Sequence, residues 1–299
     1  MFCPKCGAKS QDGSMFCHNC GEDLRRLITN ESPISTDIEN VQKYANMRKS
    51  TDTIVSPWWV IVPVATVLTY LGSSFYNIYS LFAAFGAPVS TIPTSNPFNL
   101  GFLNFSGVSL ITLIPEIIFM YLFYTLIKRR NLHFERQNRL FRILNSAFRK
   151  IAFAKGVGGI EQYTTYVDTA LYSSAAQEQE KSAAFWAILL IIPLVNIFVF
   201  IYIVYFLTEN YHAHEQRENY VLSVFGYELQ MMGLTFSFNR ENPIPQRSFV
   251  LYLILTIVTL GLFSIYWDYV LIKDPNGHFA DQIRIEDALL GSTMPLLTV

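Results

Sequence analysis

Hydrophobic and polar positions fall in long blocks along this chain. Four apolar stretches, residues 54–85, 107–127, 183–207 and 248–272, stand between polar ones. No formal charge occurs between Asp52 and Glu116, between Lys181 and Glu209, or between Arg247 and Asp268. A helix needs ~20 apolar residues to cross a bilayer, and each gap has that length. The pattern predicts an all-α integral membrane protein with about four transmembrane helices. Residues 86–106, uncharged and rich in Pro, Asn, Thr and Gly, read as a loop between two spans. Asp37 to Ser50 is compatible with a short helix inside a polar linker, residues 25–53. In residues 132–151, Leu140, Leu144, Ala147, Phe148 and Ile151 keep helical spacing, with Arg136, Arg139, Arg142 and Arg149 largely on other faces. That is the pattern of a basic amphipathic helix lying on anionic headgroups, with nucleic acid as the rival partner. Gly156 to Gly159 ends it, and a helix-compatible stretch runs on to Lys181. The uncharged tail, residues 288–299, carries no assignable pattern.

Three of the apolar stretches hold a breaker midway: Pro115, then Pro193 with Asn196, then Gly261. A hairpin folded at such a breaker dips in and returns to the side it came from, a geometry tolerated where protein or water covers the open backbone. Length and flanking charge favour plain spans, so four spans is the expectation. The domain division that follows is a cytoplasmic region over 128–182, between a helical hairpin, 54–127, and a membrane domain, 183–287.

A second pattern follows the same three stretches. Asn-x-His-x3-Gln occurs as Asn131, His133 and Gln137, as Asn210, His212 and Gln216, and as Asn276, His278 and Gln282. Three of the five histidines occupy equivalent positions, which marks an internal repeat. On a helix, residues four apart share a face, so three His–Gln pairs can converge on one metal or polar ligand. The structural alternative makes each Asn a helix N-cap, with residues 274–277 a turn, and leaves His and Gln to satisfy loop carbonyls. Glu116 and Asp268 join the candidates, because acids within or beside apolar stretches are costly. Each has a plainer reading too, Glu116 capping backbone freed by Pro115 and Asp268 sitting in the headgroup layer.

Composition agrees with a membrane chain: 51% hydrophobic and only 15% charged residues in 299. Lys128 to Lys155 holds nine basic residues against one Glu, whereas Thr208 to Val299 holds five basic against ten acidic. Basic residues flanking a span stay in the cytoplasm, so Lys128-Arg129-Arg130 puts residues 128 onward and the N-terminus inside a cell membrane. Trp58, Trp59, Trp186 and Trp267, all towards the ends of apolar stretches, read as markers of the membrane–water boundary. No cleavable signal peptide is evident, so the first apolar stretch reads as an uncleaved anchor.

All four cysteines lie in the first 20 residues, as Cys3-Pro4-Lys5-Cys6-Gly7 and Cys17-His18-Asn19-Cys20-Gly21. Two knuckles bring four thiolates onto one ion, and each glycine suits the tight turn that follows. Cys3, Cys6, Cys17 and Cys20 favour a closed tetrahedral site for one structural Zn²⁺, whose ligation supplies the folding energy of so small a module. Residues 1–24 resemble the double-knuckle zinc ribbons common in prokaryotic proteins, which implies a small β zinc ribbon. Near the C-terminus, Arg247 followed by Thr259-Leu260-Gly261 and Tyr266-Trp267 is similar to an uncharacterised family of small prokaryotic membrane domains. That resemblance covers residues 245–287 and implies a membrane fold without implying an activity.

No nucleophile elbow, phosphate-binding glycine loop or His-Glu-x-x-His occurs. The expectation is a non-enzymatic membrane-anchored adaptor or sensor whose zinc ribbon engages a protein or nucleic acid partner. Two alternatives stand beside it: an oligomeric channel or transporter using Glu116 and the histidines, and a membrane metalloenzyme. The second would show itself by a metal ion beyond the ribbon zinc.

Overall fold

The computed structural model describes residues 6, 8, 16–21, 34–86, 107–192 and 194–297. After a first helix, α1 (Ile34–Thr51), a 3-10 turn (Pro57–Val60) leads into α2 (Ile61–Gly86). Then come α3 (Gly107–Lys155), α4 (Ile160–Gln177), α5 (Ala183–Leu189), α6 (Val195–Met231), α7 (Phe249–Val258) and α8 (Leu262–Leu297). The helical expectation holds, and α8 absorbs most of the unassigned tail. The expected β ribbon is not supported: no strand occurs among the described residues, and the chain at Cys17 closes as a turn, with Gly21 N donating to Cys17 O.

Three long helices, α3, α6 and α8, make the frame. Each begins in apolar sequence and runs without a break into polar sequence, so each carries the chain from one layer to the other. α2, α5 and α7 pack around their apolar halves, and α1 and α4 around their polar halves. Two separate cores result. One holds Leu122, Phe123, Ile203, Leu207, Trp267 and Ile272; the other holds Leu140, Leu144, Phe148, Leu222, Phe225 and Leu289.

Four plain spans are not borne out. The third and fourth apolar stretches each fold as a helical hairpin. Lys181 Nζ donates to Tyr202 Oη at 3.1 Å and Trp186 packs on Tyr202, so α5 runs antiparallel to the start of α6. Arg247 pairs with Asp274 at 2.7 Å and Tyr252 packs on Phe263 and Trp267, so α7 runs antiparallel to α8. With seven and ten residues, α5 and α7 reach no more than ~15 Å, half of a ~30 Å hydrocarbon layer. Among the described residues, only Pro57–Phe75 is long and apolar enough to cross a membrane. Of the breakers, Pro115 lies inside continuous helix α3 and Pro193 lies outside the described residues; of the loop expected over 86–106, Gly86 ends α2 and the rest lies outside the described residues.

The second hairpin explains its own sequence. Thr259 Oγ1 accepts from Phe263 N at 2.9 Å and donates to Leu255 O at 2.7 Å, so one hydroxyl serves both helix ends. Gly261 takes φ +92°, where a Cβ is costly, and its N–H returns to Thr256 O. Leu260, at φ 51°, is the tip and is 79% exposed. Thr-Leu-Gly is therefore a turn that satisfies its own backbone.

Three other expectations change. The apolar face of residues 132–151 is buried by α1, α4 and α6, so no face remains for headgroups, and Arg136 lies at 1% exposure inside the bundle. Trp267 is core, its Nε1 donating to buried Thr208 at 2.9 Å, although Trp58 is 83% exposed. Arg129 and Arg130, expected at the membrane boundary, are buried.

Candidate metal centre

Between the two cores runs a layer of buried polar side chains, and its middle is three histidines, one from each long helix. His133 (α3), His214 (α6) and His278 (α8) are 0%, 5% and 0% exposed, and one ring nitrogen from each lies within 4.8 Å of the others. Two of these histidines, His133 and His278, belong to the sequence motif, and His214 does not. His212 points elsewhere, its Nδ1 donating to Ile244 O at 2.9 Å, and Gln216 is exposed. Two residues are about 200° apart on a helix, so His212 and His214 cannot both face the centre.

The error is one of register, and the contacts show it. Asn131 grips the backbone of Lys181, Nδ2 donating to its O at 2.7 Å and Oδ1 accepting from its N at 3.3 Å. Asn276 grips Val55 in the same way, at 2.7 and 3.1 Å. In the middle copy, Ile244 is gripped by His212 and by Glu215, whose Oε1 accepts from Ile244 N at 2.8 Å. Each gripped residue leads into the next apolar stretch, so α3 holds the lead-in to α5, α6 that to α7, and α8 that to α2. The ring closes on itself. Two residues beyond each grip stands a central histidine, and four beyond that stands Gln137, Glu218 or Gln282. The repeat is thus Asn/His-x-His-x3-Gln/Glu, and Asn210 belongs to no copy. None of these asparagines is an N-cap, because each sits within a helix.

Helix α8 also runs straight through residues 274–277, which read as a turn in the sequence. Pro275 has no N–H to give Leu271 O. Arg129 supplies the missing donors, Nη2 to Leu271 O at 2.8 Å and Ile272 O at 3.2 Å, and Nη1 to Asn276 Oδ1 at 2.9 Å. Glycine at 277 permits close packing, since a Cβ there would stand 3.1 Å from Asn242 Cβ.

Every central imidazole rests on a carboxylate. His133 Nδ1 meets Asp52 Oδ1 at 3.0 Å, His214 Nδ1 meets Glu178 Oε1 at 2.9 Å, and His278 Nδ1 meets Glu215 Oε2 at 2.9 Å. Arg240 Nη1 also lies 3.4 Å from His278 Nδ1, but its nearer contact is Nη2 to Glu218 at 2.6 Å. An ionised carboxylate only accepts, so each Nδ1 carries an N–H and, in the neutral ring, Nε2 keeps its lone pair. Those lone pairs face inward. His133 Nε2 and His278 Nε2 are 3.1 Å apart, and His214 Nε2, buried, has no hydrogen-bond partner among the described residues. Two ring nitrogens at that distance are joined either by one shared proton or by a cation that both ligate.

Charges around the ring keep it ready for one. Burial holds His133 down at about 4, against the pull of Asp52, so it is neutral at pH 7. Burial works against ionised Asp52 and Glu178 too. The His133 contact and Arg136 hold Asp52 below the usual range regardless, and His214 with Arg217 hold Glu178 at about 2. Burial is likewise outweighed at Glu218, by Arg240 and the three imidazoles. Arg136 ties Asp52 (2.8 Å) to Glu286 (2.8 Å), and Gln282 donates to Glu286 at 2.8 Å. Four carboxylates touch the imidazoles and three guanidiniums touch those carboxylates. The balance is negative, as a cation site requires.

The remaining candidates lie apart. Glu116 accepts from Tyr70 Oη at 3.1 Å, and Asn196 Nδ2 donates to the same hydroxyl at 3.3 Å. It sits 17 residues before His133 on α3, about 25 Å along the axis, so the two do not share a site. Asp268, expected among headgroups, is buried, and neither carboxylate oxygen has a hydrogen-bond partner among the described residues. At the N-terminus, Cys6, Cys17 and Cys20 lie close enough to bind one metal ion, with Cys6 and Cys17 sulfurs 3.6 Å apart. The Asn19 backbone N–H draws the Cys17 thiol down to about 6. Cys3 lies outside the described residues, and His18 is exposed.

Residues 247–297 match the model of a family described as a domain of unknown function (DUF4234). The matched segment begins at Arg247 and spans the α7–α8 hairpin with His278 and Gln282. No curated protein and no solved structure matches the chain.

Proposed function

We propose that this protein is a membrane-anchored metalloprotein whose helical bundle holds a divalent first-row transition metal on His133, His214 and His278. The observation that carries it is the convergence of three buried imidazoles, each fixed by a carboxylate on Nδ1, onto one point. Imidazole nitrogens on a tetrahedral ion at ~2.0–2.1 Å stand roughly 3.3 Å apart, near the 3.1 Å between His133 and His278. Imidazole sets suit zinc, iron, copper or nickel. The cysteine knuckles are a separate site, for Zn²⁺ by their thiolate chemistry.

Pro57–Phe75 anchors the bundle in the membrane, and the two hairpins dip into the leaflet next to it. Exposed Leu194, Phe198, Ile257, Val258 and Leu260 near their tips support that placement. All three histidines then lie on one side, with the cysteine knuckles. A metal centre at that depth favours chemistry or sensing by the ion over the adaptor role. Separation of Glu116 from the histidines removes the argument for a shared ion path.

Metal content of the full chain, purified in detergent, tests this. Two ions per chain are expected: the ribbon-cysteine variant keeps one, and His133→Ala, His214→Ala or His278→Ala loses the other. His212→Ala is the control and keeps both, since it grips only backbone. A ribbon-cysteine variant free of bound metal would end the proposal, and so would equal losses from His212→Ala and His214→Ala.

A further inference from the structure

Resting on that metal-centre reading, we infer that the centre is an open one: a coordination position beside His214 takes an exchangeable water or small anion, held by Gln137. Next to His214 and Glu218 lies a cavity of about 20 Å³, lined also by Gln137, Asn138, Ser174 and Glu178. That volume holds about one water. Gln137 is 1% exposed, yet neither its amide oxygen nor its amide nitrogen has a hydrogen-bond partner among the described residues, and Glu218 Oε1 has none either. Buried amides without partners are rare in folded chains. A donor and an acceptor left over beside an imidazole lone pair are what a metal-bound solvent molecule satisfies.

The three copies of the repeat strengthen the assignment by differing here. Gln282 spends its amide N–H on Glu286, whereas Gln137, at the equivalent position, spends nothing. Asn138 and Glu178 also line a second cavity of about 340 Å³, between α3 and the C-terminal side of α4, with Asn131, Glu135, Arg139 and Arg142 on its walls. The small cavity therefore has a neighbour large enough to deliver a ligand. A structural metal site has no use for either feature, since its coordination is closed.

Cobalt(II) loaded into the full chain reports on the position directly. The difference spectrum against the His133→Ala/His278→Ala variant isolates the bundle ion from ribbon cobalt. Azide is then titrated. Saturable shifts of the visible bands are expected, with affinity falling about tenfold in Gln137→Leu, the worth of one hydrogen bond to a charged ligand. Gln137→Asn, which keeps the amide, should recover part of it, and each variant is checked for unchanged cobalt content and helicity. Bound bundle cobalt whose spectrum ignores azide would overturn the inference, leaving a closed site with Glu218 as fourth ligand. A chain with no bundle cobalt at all would overturn both this inference and the metal reading beneath it.

Discussion

Single residues here often do work opposite to what their type suggests. Arg129 and Arg130 read as charges for the membrane surface, yet Arg129 is a buried donor for carbonyls and an amide. Arg136, on the supposed polar face of a surface helix, fastens Asp52 to Glu286. Glu228 is the reverse case, a buried acid whose two oxygens have no hydrogen-bond partner among the described residues. Burial pushes it up to about 8, with Arg149 opposing and Asp168 adding. A folded value above the unfolded one means that the folded chain keeps a proton the unfolded chain gives up. Stability from this group is therefore intact below about pH 4.5 and is lost as pH rises through about 8. Glu228→Gln should melt several degrees higher than the parent at about pH 8.5 and no higher at about pH 4.5. A difference that stays constant with pH would show that the acid is not protonated in the fold.

At the scale of elements, two devices let helices bend the usual rules. The Thr259-Leu260-Gly261 turn reverses the chain by supplying its own capping hydroxyl. Pro275 stays inside α8 because Arg129, a neighbour from α3, replaces the donor it lacks. Coupling between the two is measurable. Arg129→Met should destabilise the chain strongly, and less so in a Pro275→Ala background, where the restored backbone N–H serves Leu271 O. A coupling near 1 kcal/mol is expected from thermal melts of the double-mutant cycle. Additive effects would mean that Arg129 serves Asn276 alone.

On the scale of the molecule, a ring of three units explains the fold better than a row of four spans. Each long helix grips the lead-in to the following unit, and the third grips the first, so the histidines are forced onto a common axis. With the proposed membrane placement, this ring puts both ends of each hairpin on one side. In full chains lacking the native cysteines, Glu180→Cys and Gln216→Cys flank the third stretch and should react with an impermeant maleimide from the same side. Reaction from opposite sides would restore a plain span there and put the histidines out of reach of one another.

Much of this was legible in the chain itself. Blocks of apolar sequence gave the helices, Gly156 and Gly159 marked a break, and the spacing of Leu140, Leu144 and Ile151 identified the buried face of α3. Local periodicity carries that information because burial repeats with the helix. Repetition of Asn-x-His found His133, His278, Gln137 and Gln282, whereas Asn210 drew the middle copy two residues out of register. Only packing decides that register, since it depends on which side chain reaches Ile244, far along the chain. The same holds for the hairpins and for Asp52, Glu178 and Glu215 as the carboxylates behind the imidazoles. Length and hydropathy describe a segment alone, but depth, direction and charge pairing are properties of its neighbours.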